Sequence, residues 1–301
     1  MQTPWGDCAV SDAHIHFFSR NFFDALAAQT GKSAAVVAET AGWMLPPQSP
    51  AELAVMWAAE LDRAGVATAA LIASLPGDQA SVRAAITACP GRFYAYAMVN
   101  PLAETAGSVL EHSPALDALC FFPAMHRYSM HDERVEALLA HAEALPAPPA
   151  VFVHCGVLTV GVRKKLGLPS LFDMRFSNPL DLHAVAVAHP RLKFLVPHFG
   201  AGYFREALML ADLCPNVYLD TSSSNSWTRY EGLDLRTVFR RALDVAGPGR
   251  LLFGTDSSFF PRGWHEAIFE QQTRELFDLG IGDRDARLIL GGNLRQIFEN
   301  R

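Results

Sequence analysis

The sequence predicts an α/β protein built as a closed (β/α)8 barrel, the TIM-barrel class, in a single domain spanning residues 1–301. Three observations carry this. Eight short apolar runs recur along the chain, each followed by a helical pattern, and strands separated by helices are joined by parallel crossovers. The runs are nearly continuous in their apolar character, as in a sheet buried on both faces. A length of 301 residues suits eight such units. An open doubly wound sheet would carry a glycine-rich turn after its first strand, and none is present.

The first strand runs from Cys8-Ala9-Val10-Ser11 through Asp12-Ala13-His14-Ile15-His16 to Phe17 and Phe18. Residues 19–49 read as an insertion with one short helix and a break at Pro46-Pro47. Ser49-Pro50 opens and Gly65 closes a helix at 51–64, since Pro suits the first helical position and Gly the residue after the last. Next come strand Ala67–Ala73, helix Gln79–Cys89, strand Phe93–Val99, helix 104–112, strand Leu116–Phe122 and helix 131–144. Strand Ala150–His154 leads into a long loop at 156–178, rich in Gly, Lys and Arg. Helix 179–188, strand Leu192–Pro197, helix 203–213, strand Asn216–Thr221, helix 234–245 and strand Arg250–Thr255 follow, and helices at 264–279 and 283–299 complete the chain.

Composition narrows the function. Half the residues are hydrophobic and 19% are charged, which is a folded globular balance. A net charge of -6 with scattered basic residues gives no footprint for nucleic acid. No apolar run reaches the ~18 residues of a membrane span. Met1–Asp7 lacks the basic start and apolar core of a signal peptide. Five widely spaced cysteines form no disulfide framework, so a reducing cytoplasm is the expected compartment.

The chemistry begins at His14 and His16. Two histidines separated by one residue on a strand project from the same face and can share one divalent metal. Alone, such a pair is as readily two core histidines satisfied by hydrogen bonds. In a barrel the active site lies at the C-terminal strand ends. The fifth strand ends in His154, the sixth in His198 and the eighth in Asp256, so four histidines and an aspartate from four strands are expected at one rim. Unrelated core histidines have no reason to fall at those positions.

Asp12-Ala13-His14-Ile15-His16, Val153-His154-Cys155-Gly156, Pro197-His198-Phe199-Gly200 and Phe253-Gly254-Thr255-Asp256 resemble the metal-site motifs of the amidohydrolase superfamily. More narrowly, the chain resembles the amidohydrolase-related branch typified by aminocarboxymuconate-semialdehyde decarboxylase, through Asn216–Ser222 and Gly292-Asn293-Leu294-Arg295 as well. The resemblance implies a barrel of the metal-dependent hydrolase type. It makes His14, His16 and His154 metal ligands, Asp256 a fourth ligand or close catalytic partner, and His198 the proton-handling residue. Three neutral imidazoles and a carboxylate suit Zn2+ with an open position, with Mn2+ second. Binuclear members carry a bridging carboxylated lysine at the end of the fourth strand. Ala118–Pro123 has no lysine there, and the lysines are Lys32, Lys164, Lys165 and Lys193, so one ion is expected.

Arg163, Lys164, Lys165 and Arg175 in the long loop, with His126, Arg127 and Arg205, favour a small acidic substrate, since guanidinium forks match carboxylates. Arg163 and Arg175 are the expected anchors, although any one such charge is more often a solvated surface group. Phe17, Phe18, Trp227 and Phe259 are candidates for an apolar wall, Phe17 and Trp227 foremost. Asp12 orients a ligand or caps the strand, Asp220 makes a structural hydrogen bond, and His112, His141, His183, His189 and His265 carry no chemistry. The resulting expectation is an enzyme that hydrolyses or non-oxidatively decarboxylates a small carboxylated substrate at one metal site. A non-catalytic barrel with a structural or sensing metal is the other class, and His198 argues against it because a structural site closes with four ligands. Similar barrels often form homodimers, but no interface is legible.

Overall fold

The computed structural model describes residues 1–110 and 116–299. Eight strands form one parallel sheet: β1 (Val10–Phe17), β2 (Val66–Ala73), β3 (Phe93–Val99), β4 (Ala118–Phe121), β5 (Ala150–Val153), β6 (Phe194–Val196), β7 (Val217–Asp220) and β8 (Leu251–Leu252). They pair in sequence order. A short antiparallel ribbon, Gln2–Thr3 with Gly6–Asp7, precedes them. Of the expected helix 104–112, Ala106–Leu110 is helical, and residues 111 and 112, His112 included, lie outside the described residues. No helix among the described residues is long and apolar enough to cross a membrane.

The barrel closes irregularly. The eighth strand is regular over two residues only, and 253–257 then continues alongside β1. Ala13 N–H donates to Phe253 O at 2.8 Å, His16 N–H to Ser257 O at 2.7 Å, and Asp256 N–H to His14 O at 3.0 Å. The buried Asp12 carboxylate ties this seam. It accepts from the His14 and Thr255 amides at 2.9 and 3.1 Å, from Thr255 Oγ1 at 2.5 Å and from Trp264 Nε1 at 2.8 Å. Burial pushes its pKa up to about 6, against the pull of these donors.

Two apolar layers enclose the strands. Ile15 and Phe17 face outward onto Trp57 and Leu61 of the helix Pro50–Ala64. Inside the barrel, Ile72, Tyr96, Met98, Cys120 and Phe152 meet Leu294, Ile297 and Phe298 of the last helix, Asn293–Glu299. That helix docks at the strand starts, with Tyr94 Oη donating to Glu299 Oε1 at 3.1 Å and Arg295 Nη1 to Ala9 O at 3.1 Å. The interior is therefore filled from the N-terminal end, and the C-terminal rim stays open. The final helix is not continuous over 283–299: a π turn, Leu288–Gly292, interrupts it. There Gly291 passes so close to Ala9 O that a Cβ would sit 2.8 Å away.

The insertion holds two helices rather than one, Arg20–Thr30 and Ala34–Ala41. Gly31 (φ 65°) ends the first in the left-handed region that glycine adopts freely, and Ser33 Oγ caps the second by accepting from Val36 N–H. Phe22, Phe23, Leu26 and Val37 form a separate apolar cluster with Val160, Val162, Leu166 and Leu168 of the long loop. The loop has its own helix, Gly161–Lys165. The insertion and the long loop thus meet as one cap beside the open rim.

His189 is buried between two carboxylates, Nδ1 2.8 Å from Glu143 Oε2 and Nε2 3.1 Å from Glu136 Oε2. Burial opposes its charge, but the two hydrogen bonds raise its pKa above the ordinary value. A raised folded pKa gives stability fully present below the unfolded value of about 6.5 and lost as pH rises through the folded value. The melting-temperature gap between wild type and His189→Gln is expected to be widest below the ordinary imidazole value and to shrink as pH rises through the raised folded value. A gap independent of pH would contradict a charged His189.

Candidate metal centre and active site

β1 supplies His14 and His16, and the bend after β8 supplies Asp256. His14 Nε2 and His16 Nε2 lie 3.7 and 3.3 Å from Asp256 Oδ1. One donor atom from each of the three residues falls within 4.8 Å of the others. Hydrogen bonding fixes the tautomers. His14 Nδ1–H donates to Asp220 Oδ2 at 2.7 Å. His16 Nδ1–H donates to Ser74 Oγ at 2.7 Å, whose own hydrogen goes to Ile72 O at 3.1 Å. Both Nε2 lone pairs are left facing Asp256, and His14 Nε2 is buried with no hydrogen-bond partner. Second-layer partners of this kind hold metal-binding imidazoles in the ligating tautomer. The donor set and the orphaned nitrogen fit a divalent cation.

His154 and His198 stand on the next side of the rim. Ring centroids are 4.9 Å apart for His14 and His198, and 5.3 Å for His154 and His198. Phe122 stacks on His154, whose Nδ1 is buried and unpartnered. His198 Nδ1 lies 3.2 Å from Ser222 O and 2.9 Å from Ser222 Oγ. A carbonyl only accepts, so Nδ1 carries the hydrogen and Nε2 is left basic. The same Ser222 hydroxyl sits 3.0 Å from His14 Nδ1, bridging the two rings. His198 (φ 56°) and Asp256 (φ 59°) both occupy the left-handed region, a strained choice for residues other than glycine and one found at functional sites.

Electrostatics differ around the ring. Burial opposes the charge on His14, but Asp220 and Asp256 raise its pKa above the ordinary value. Burial lowers His16, and burial together with neighbouring imidazoles lowers His154 and His198. For Asp256 burial acts upward, yet the His16 ring 3.3 Å away and the charge that the surrounding imidazoles carry when protonated hold it well below the carboxylate range. The result is one carboxylate firmly ionised beside three imidazoles, His16, His154 and His198, that favour neutrality, with His14 the exception.

Above the cluster opens a cavity of about 890 Å³, with His16, His154, His198 and Asp256 among its lining residues. Its wall carries Arg127, Arg163, Lys165 and Arg229, against Asp256 as the acidic residue. Phe18, Trp43 and Phe259 stack nearly parallel along one side, with centroids 5.4 Å apart for Phe18–Trp43 and 4.6 Å for Trp43–Phe259.

The expected substrate contacts divide. Arg163 and Trp227 line the cavity. Phe17 does not: it faces the outer helices, and the next residue, Phe18, is the one in the wall, because consecutive strand residues point opposite ways. Arg175 does not line it either; it is exposed and paired with Asp173 at 2.6 Å, two residues away. Arg205 is likewise exposed and paired with Glu206. Sequence reasoning left Asp220 without a partner and passed over Ser74, Ser222 and Arg229.

A family model described as an amidohydrolase matches residues 11–299. Protein fluG of Emericella nidulans is 34% identical over 85 residues, 28% of this chain and 10% of that protein, so the match spans a tenth of that curated relative's length. Among solved structures, a probable 2-pyrone-4,6-dicarboxylic acid hydrolase from Acinetobacter baumannii with citric acid bound superposes with a TM-score of 0.60 at 14% identity, covering 97% of this chain and 99% of that one. An amidohydrolase from Burkholderia multivorans with bound zinc gives 0.60 at 14% identity, covering 96% and 99%. At these identities the likeness is one of fold.

Proposed function

The chain belongs to the amidohydrolase family, and we propose that it is a metal-dependent hydrolase or carboxy-lyase acting on a small carboxylated substrate, in the branch that includes aminocarboxymuconate-semialdehyde decarboxylase. The observation that carries this is the pairing of two environments in one cavity. A His14–His16–Asp256 cluster lies at one end, and Arg127, Arg163, Lys165 and Arg229 stand on the wall. Such a surface attracts an anion and leaves a planar organic body to the Phe18–Trp43–Phe259 stack.

In this reading His14, His16 and Asp256, joined by His154, would hold one divalent ion, with Zn2+ the best match to the donors. When bound, the ion supplies Lewis-acid polarisation of a substrate or water oxygen. His198, neutral and basic at Nε2, takes the proton from attacking water in a hydrolysis; in a decarboxylation Nε2 first takes a proton from solvent water and then passes it to the carbon that loses carbon dioxide, returning to the neutral ring. Ser222 keeps its ring in that tautomer. Asp256 stays ionised and accepts hydrogen bonds beside it. Arg163 or Arg229 anchors the substrate carboxylate.

The test is elemental analysis of protein purified without chelator, followed by chelation. One ion per chain is expected, with activity toward ring and unsaturated carboxylates lost on chelation while circular dichroism holds. Two ions per chain, or none after metal is supplied, would overturn the single-metal reading. Unfolding on chelation would favour a structural ion.

A further inference from the structure

β4, four strands from the β8 end that carries Asp256, leads into another part of the cavity wall. It continues as Phe122 and a short helix, Pro123–His126, and His126 lines the cavity. We propose that His126 is a specificity-determining residue, whose imidazole donates a hydrogen bond to a substrate oxygen remote from the reacting carbon.

Its surroundings leave it nothing else to do. His126 Nδ1 is buried with no hydrogen-bond partner, which leaves Nε2 as the nitrogen open to the cavity. A buried N–H without an acceptor is harder to tolerate than a buried lone pair without a donor, so the unpartnered Nδ1 keeps the lone pair and the hydrogen sits on Nε2. Burial pushes the His126 pKa down to about 4, so the ring is neutral across the physiological range. A neutral ring has one N–H, and the tautomer with hydrogen on Nε2 places it where an acceptor can arrive. One ring contact and two contacts of neighbouring residues hold the segment that carries the imidazole. Tyr128 lies nearly parallel at 6.3 Å between centroids. Arg127 Nε donates to Leu171 O at 2.7 Å, and Asp173 N–H donates to Ala124 O at 2.8 Å, which pins the segment to the long loop. A donor held this firmly discriminates between substrates that carry an oxygen at its position and those that do not, because its pairing is lost with the wrong one.

The inference rests on the carboxylate reading of the cavity, and the experiment separates the two. The metal-loaded full-length protein is titrated with benzoate, isophthalate and terephthalate, following the fluorescence of Trp43 and Trp227, which both line the cavity. Wild type is expected to bind one of the dicarboxylates more tightly than benzoate. His126→Phe is expected to weaken that dicarboxylate by about tenfold and leave benzoate unchanged. His126→Gln keeps an N–H donor and is expected to recover most of the loss. Equal weakening of benzoate and dicarboxylate in His126→Phe, or no change in either, would overturn the role of His126 and leave the carboxylate reading standing. Failure of all three probes to bind wild type at millimolar concentration would overturn both.

Discussion

Asp256→Asn is expected to cut turnover by about 10²–10⁴-fold and to loosen the ion, with elemental analysis and activity at saturating metal reading the two effects separately. Asp256 is the carboxylate of the cavity, and its Oδ1 faces both His14 Nε2 and His16 Nε2. An amide keeps the volume but removes the negative charge that balances a cation among the imidazoles. Asparagine also tolerates the left-handed φ of 59° at this position, so lost activity reports chemistry rather than backbone strain. Activity within a few-fold of wild type would take Asp256 out of the machinery.

His198→Asn is expected to reduce turnover to a similar extent, about 10²–10⁴-fold, while ion content stays near wild type. His198 Nδ1 is committed to Ser222, which leaves Nε2 for the proton in the proposed reading. Its loss therefore removes a proton carrier and not a ligand. Here too the left-handed backbone, φ 56°, favours asparagine over alanine as the replacement. Loss of the ion together with activity would make His198 a ligand instead.

The sequence was most legible where one physical rule governed many residues. Alternation of apolar runs and helices placed all eight strands, and the strand-end rule located five polar side chains that the structure brings to one rim. The rule failed where a partner lay far away in the chain. Asp220 reaches His14 across 206 positions and Ser74 reaches His16 across 58, and nothing local announces either pairing. Parity decided Phe17 against Phe18, which an unassigned strand register cannot reveal. Arg175 and Arg163 look alike in sequence. An aspartate two residues away claims the first, whereas the second donates to Pro169 O and to Gln29 Oε1 in the cap. The insertion at 19–49 was legible as such, but its second helix and its pairing with the long loop were not, because its apolar faces match a loop that has no periodicity of its own.

The seam that closes the barrel sets an order on assembly during synthesis. His14 and His16 leave the ribosome more than two hundred residues before Asp256, and the buried Asp12 carboxylate waits equally long for Thr255 and Trp264. A nascent chain that stops short of that seam has imidazoles but no complete cage, and its Asp12 carboxylate lacks the donors that satisfy it. In the proposed reading, strong cation capture and barrel closure are one event, reached only once residues 251–264 have emerged. A ribosome-stalled chain ending before residue 251 should exchange its ion freely, and one extended through the plugging helix should retain it.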